Sequence, residues 1–246
     1  MLPTSYVAPK HIREIRDILR YRTFLVRLRT RIKNRIHSLL FRLGIAHPFS
    51  DLFGKRGLSY LKTLELPYPY RQSLDHYLNV LENLNLQIKE VSLEILRISV
   101  NSQQATLLTS IPGIGYFSSL LITAEIGDIS RFPNPKRLCS WTGLVPTLHS
   151  SGQISRTGHI TKLGSSWLRW ILVEAAQKSA RRTPKFKGFF DRISRKKGTK
   201  CARVALARKI LSTIYYMLKN NRPFVDTKYS AGTSLLDMEP QRVRLW

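Results

Sequence analysis

Between His11 and Leu43 the apolar residues Ile15, Ile18, Leu19, Leu25, Leu28, Ile32, Ile36, Leu39, Leu40 and Leu43 recur at steps of mostly three and four. That period predicts one long amphipathic helix, ended by Gly44. Pro48, Gly54, Gly57, Pro67 and Pro69 then interrupt regular structure, so residues 45–72 read as a connector with a short helix in it. Tyr77, Leu81, Leu84, Ile88, Val91, Ile95 and Ile98 alternate steps of four and three, which is the seam of a coiled coil. Such a seam needs a partner. It is either the first helix folded back as an antiparallel hairpin or the same segment of a second copy, which would make a homo-oligomer.

Beyond Val100, the stretch Leu107 to Gly127 carries Pro112, Gly113 and Gly115 between two apolar segments, which predicts a short helix, a glycine hairpin and a second helix. Turn-forming and small residues interrupt the apolar ones from Phe132 to Gly152, so this segment reads as a loop. Helical spacing returns through Ile171, Leu172, Ala175 and Ala176. The expected fold is therefore mainly α: a basic helix with a coiled-coil hairpin, then a compact helical domain holding a helix-hairpin-helix element and a serine loop. The expected boundaries are 1–100, 101–224 and a loose tail, 225–246.

Charge changes this picture. The 246 residues carry 41 Lys plus Arg against 15 Asp plus Glu, a net charge of +26. Thirteen basic and three acidic residues lie in 1–60, seven of each in 61–149, and eighteen basic against two acidic in 150–222. Two basic blocks flank a neutral stretch, the pattern of two surfaces for a phosphate backbone rather than of a general solubilising charge. On the first helix the candidate contacts are Arg27, Arg29, Arg31, Lys33 and Arg35, because a merely solvated face would mix signs to gain i,i+4 pairs. Binding to a membrane surface fits less well, since the cations alternate with core-spaced apolar residues instead of forming a short cluster.

The longest apolar run, Leu107 to Ile126, is broken by Pro112, Gly113 and Gly115 and carries Glu125, so no membrane span is expected. The first residues lack the pattern of a secretory signal, which points to the cytoplasm. Cys139 and Cys201 stand far apart without close Cys/His spacing, which argues against structural zinc or a disulfide framework.

Gly113 and Gly115 allow a backbone to approach a phosphate, with the unpaired N–H groups of the following helix beside them. A dinucleotide site is the other use of Gly-x-Gly, but Ser118 stands where the third glycine belongs and no strand-like run precedes Pro112. Ser150 and Ser151 stand near Arg156, Lys162 and Arg169 in sequence. A serine attacks phosphorus when a base or metal takes its proton and positive groups stabilise the phosphoryl oxygens; these cations could meet the second need. No base is evident, and by its residues alone Ser-Ser-Gly reads as a turn.

Ile111-Pro-Gly-Ile-Gly115, Phe132, Trp141-Thr-Gly-Leu-Val-Pro146, Ser151-Gly152, Ile160-Thr-Lys162, Gly164, Leu168-Arg169 and Ala175-Ala176 together resemble one family. It is the insertion-sequence transposases related to the Piv DNA invertase, described as bridge-RNA-guided recombinases. The resemblance runs from about Ala105 to Pro223, and Arg20-Tyr-Arg22, Lys33-Asn-Arg-Ile-His37 and Ser50-Asp-Leu-Phe-Gly54 resemble the family's linking region.

The resemblance implies DNA transposition by site-specific recombination, with double-stranded DNA and a structured guide RNA as partners. It implies Ser151 as nucleophile, with Ser150 as the alternative, and Arg156, Lys162 and Arg169 as nucleic-acid contacts. The family's RuvC-like domain, whose four acidic residues bind divalent metal, precedes the region matched here. No metal site or cofactor is therefore expected in this chain, magnesium only with that acidic domain, and strand cleavage by the chain alone should be very slow. A DNA- or RNA-binding protein that cuts nothing is the other function compatible with these residues.

Overall fold

A computed structural model describes residues 6–151 and 154–226, the side chains of 148–157 excepted. The chain is mainly α, as the spacing predicts. Its elements are α1 (Lys10–Arg42), α2 (Lys55–Thr63), α3 (Tyr70–Asn101), α4 (Gln103–Thr109), α5 (Tyr116–Ile126), α6 (Pro135–Trp141), β1 (Pro146–Ser151), β2 (Ile154–Ile160), α7 (Ser166–Arg182) and α8 (Pro184–Asn220). The described residues form two compact units, one of residues 17–94 and one of residues 6–16 with 95–226. The tail expected over 225–246 lies, from 227 onward, outside the described residues.

In the 17–94 unit, the periodic residues of α1 and α3 find each other. Leu25 packs with Leu84 and Ile88, while Ile36, Leu39 and Leu40 pack with Leu74, Leu78 and Leu81. Position numbers fall along α3 as they rise along α1, so the pair is antiparallel. Arg22 Nε donates to Ser92 Oγ at 2.7 Å and Arg29 Nη1 to Asn85 Oδ1 at 3.3 Å, in the same register. The part of the seam in this unit is thus filled within the chain, and a second copy would have to use another face. Leu52 and Leu61, from the connector and α2, cap the connected end of the hairpin. Each such leucine removed from water contributes roughly 1.5–3 kcal/mol.

The second unit is built round α5, whose residues Ser119 to Ile126 are all buried. A helix apolar on every side belongs in the middle of a core, and α4 and α7 pack against it. Arg16 Nε donates to Ala124 O at 2.9 Å and Nη2 to Glu125 O at 3.2 Å, so a cation meets the open carbonyls at the C-terminal end of α5. Buried Glu125 lies 4.0 Å from the same guanidinium.

The expected loop over Phe132 to Gly152 is instead a helix followed by a strand. Asn134 Oδ1 accepts from Arg137 N at 3.0 Å and Pro135 occupies the first turn of α6, a strong helix start. The serines then lie on β1 of a two-stranded antiparallel sheet and not in a loop.

Candidate nucleic-acid interface

The sheet pairs Pro146 with Ile160, Leu148 with Thr157, His149 with Arg156, Ser150 with Ser155 and Ser151 with Ile154. Ser151 is thus the last residue of β1, with Gly152 and Gln153 joining it to β2. The register brings the backbones of Ser150 and Arg156 to the same end of the hairpin. The side chains of Ser150, Ser151 and Arg156, each singled out by the sequence, lie outside the described residues.

The base of the hairpin is described in full, and two glycines build it. Gly143 and Gly164 have φ of 69° and 69°, a backbone conformation that favours glycine. A Cβ on Gly164 would collide with Trp141 O, and one on Gly143 with the backbone of Lys162 and Leu163. The segment after α6 and the segment after β2 therefore cross in backbone-to-backbone contact. Thr161 N donates to Val145 O at 2.9 Å and Lys162 N to Gly143 O at 3.3 Å.

Arg169 fastens the crossing from α7. Its Nη1 donates to Thr142 O and Gly164 O, each at 3.1 Å, and to Leu163 O. This nitrogen serves the protein's own carbonyls, so Arg169 acts as a positioning residue. Lys162 is exposed and, though not glycine, has φ of 57°. Such a conformation costs a lysine about 1–2 kcal/mol, and here the crossing segments hold it. Behind them, the Arg131 guanidinium stacks on Tyr6, Phe132 and Trp141 at 4.0–4.5 Å from the ring centroids and donates to Ile126 O at 3.0 Å. Burial among the rings lowers its pKa.

The two glycines of Pro-Gly-Ile-Gly differ in environment. Gly113 has φ of 101°, and a Cβ there would lie 2.8 Å from Ser179 N and 2.9 Å from Ser179 Oγ. Ser179 Oγ in turn donates to Pro112 O at 2.6 Å. The missing side chain at Gly113 lets α7 approach the turn. Gly115, which precedes α5, is exposed and has nothing within 4 Å of a built Cβ.

The five candidate cations of α1 also divide. Arg27, Arg31 and Arg35, four residues apart, are exposed along one side. Arg29 binds Asn85, and Lys33 lies 4.7 Å from the Phe53 ring, half-buried, where desolvation and then Arg29 lower its pKa and Asp51 raises it.

Residues 105–191 match the family described as "Transposase IS116/IS110/IS902 family". That segment carries this family's transposase domain. It is 27% identical over 218 residues to the transposase for insertion sequence element IS1111A of Coxiella burnetii, covering 86% of this chain and 60% of the relative. It is 26% identical over 218 residues to a "Probable family 20 transposase" of Pseudomonas aeruginosa, covering 83% of this chain and 63% of that one. The pilin gene-inverting protein of Moraxella bovis is 37% identical over 126 residues, 50% of this chain and 39% of its own length.

The matched transposase segment begins at α4 and ends in the first part of α8, so it contains the glycine turn, the crossing and the serine hairpin. Among its described residues no three His, Cys, Asp or Glu side chains gather as metal ligands. Glu125 faces Arg16, and Asp128 accepts from Ser130 N at 2.8 Å, so these carboxylates do not fit a divalent metal centre. No described helix is long and apolar enough to cross a membrane.

The role of Gly143 and Gly164 escaped sequence reasoning, although both stand in the motifs that carry the resemblance. A glycine's need for a particular neighbour becomes visible only once the two segments meet.

Proposed function

We propose that this chain takes part in DNA transposition by site-specific recombination, binding duplex DNA on its two basic surfaces and presenting Ser151 at the end of β1 as nucleophile. The observation that carries this reading is the matched transposase segment, in which a crossing at two glycines and Arg169 hold the base of the hairpin whose first strand ends at Ser151. In the reaction the serine oxygen forms a bond to a backbone phosphorus while the bond from phosphorus to a sugar oxygen breaks. The departing sugar hydroxyl leaves with a proton equivalent to the one the serine loses. Ser150, the residue before Ser151 on β1, is the alternative nucleophile.

Arg156 on β2 and Lys162 just after it are candidate phosphate contacts, Gly115 offers a backbone N–H approach in the manner of a helix-hairpin-helix, and a structured guide RNA is the proposed second nucleic acid. Glu125 and Asp128 are taken up by Arg16 and Ser130, and a metal serving this chemistry would in this reading be held by carboxylates of a RuvC-like domain.

The test is DNA strand transfer with magnesium by the purified chain, alone and with a RuvC-like acidic domain added. The expected product depends on the added domain and is lost in Ser151→Ala but kept in Ser150→Ala. Salt-sensitive DNA binding with no product under any condition supports the second reading, a binding protein that cuts nothing. That reading is favoured by the lack of a carboxylate cluster among the described residues.

A further inference from the structure

Helix α8 is not one rod. Gly198 in its middle has φ of 80° and ψ of 163°, far from helical values. Residues 189 and 209 would stand about 30 Å apart on a straight helix, yet Lys209 Nζ lies 4.4 Å from the centre of the Phe189 ring. The chain therefore turns back at Gly198 and lays its second leg beside its first. Ser194 Oγ and Thr199 Oγ1, 3.4 Å apart, bridge the turn.

The fold-back gathers charges of one sign. Arg192 Cζ lies 5.6 Å from the centre of the ring that Lys209 also faces. The pKa of Lys209 is lowered first by burial and then by Lys185 and Arg192. None of these three cations has an ion pair among the described residues, and Asp191 is the only carboxylate between Glu174 and Asp226. At the turn itself Arg195, Lys196, Lys197 and Lys200 are all exposed. Bringing like charges together opposes folding unless an anion offsets them. The tip holds no apolar side chain from Arg195 to Lys200, so it lacks what a membrane-inserting tip would bury.

We propose that the folded-back helix 184–220 is a clamp for the phosphate backbone of duplex DNA, with Arg192 and Lys209 at the Phe189 ring and Lys185 on the same first leg as its anchoring contacts, and Arg195 to Lys200 following the strand. The clamp rests on the reading of this chain as DNA-binding. It is separate in the chain from the serine hairpin and uses none of its residues. Backbone contacts of this kind position DNA without reading its sequence.

The test measures affinity for a duplex DNA as a function of salt. It compares the wild type, the triple variant Lys185→Gln/Arg192→Gln/Lys209→Gln, and Lys89→Gln on α3 as a control. The expected result is a steep wild-type slope that becomes shallower in the triple variant by about 0.9 for each phosphate no longer neutralised, with Lys89→Gln unchanged. A steep wild-type slope retained in the triple variant overturns the clamp and leaves DNA binding standing. A flat wild-type slope overturns DNA binding and the clamp with it.

Cys201 supplies a readout that needs no substitution, since it is exposed three residues past Gly198 while Cys139 is buried. Bound DNA should slow its alkylation several-fold, and an unchanged rate overturns the clamp. Phosphatidylserine vesicles protecting Cys201 where duplex DNA does not would also overturn it, in favour of a lipid surface.

Discussion

The α1–α3 hairpin and the serine hairpin are held in opposite ways. In the first, side chains repeat at helical spacing and any one layer resembles the next, so the pairing is distributed over many apolar contacts. In the second, two backbones cross at two glycines and one arginine locks the crossing. A distributed core loses stability by increments when side chains are trimmed. A backbone crossing tolerates no added atom, because nothing flexible is there to move.

The cations differ in the same sense. Arg27, Arg31 and Arg35 lie exposed on α1, whereas Arg169 and Arg131 give their hydrogen bonds to backbone carbonyls. A count of basic residues is therefore not a count of phosphate contacts.

Substitutions can break this comparison. The largest effect should come from Gly164→Val, where a Cβ strikes Trp141 O and the φ is positive, with a loss of about 4 kcal/mol or more in denaturant unfolding. Gly115→Ala, with nothing near it, should stay within about 0.5 kcal/mol of wild type. A Gly164→Val protein as stable as wild type would show that the two segments do not cross. Next, Ile36→Ala in the distributed core should cost about 2–5 kcal/mol, read from the same unfolding curves.

Lys162→Gly should separate stability from function, since it relieves a strained lysine. Its thermal midpoint should rise, with a gain of up to about 1 kcal/mol, while DNA affinity falls. Unchanged affinity would remove Lys162 from the interface. Replacing Arg27, Arg31 and Arg35 together by Gln should leave the fold within about 0.5 kcal/mol at each site yet flatten the salt dependence of DNA binding.

The smallest effect concerns acid. Hydrogen bonds from Ser130 hold the Asp128 carboxylate below its ordinary pKa. Its contribution is thus fully present above the unfolded value and lost as pH falls through the folded one. Asp128→Asn should remove that small acid-side loss from a pH series of melting curves.

The two regions were also unequally legible. Along α1 and α3 every deciding residue has its partner type written at helical spacing, so the helices could be read directly from the pattern. In the interface, Ser151 and Gly152 read as a turn because small polar residues favour turns by themselves. The strand exists because residues 154–160 pair beside it. Asn134-Pro135 was a legible helix start hidden within a run of turn formers.

Periodicity and charge thus determined the helical class, the two long helices and the two basic blocks, because these depend on residues close together in sequence. Only the tertiary structure decided that α1 fills the α3 seam from Tyr77 to Val91, that Gly143 and Gly164 touch opposing backbone, that Arg169 is directed at carbonyls, and that α8 folds back on itself and brings Lys209 to Phe189 and Arg192. Each of those depends on which distant segment arrives beside a residue. Local spacing fixes the side a residue presents, and the rest of the chain supplies what it meets there.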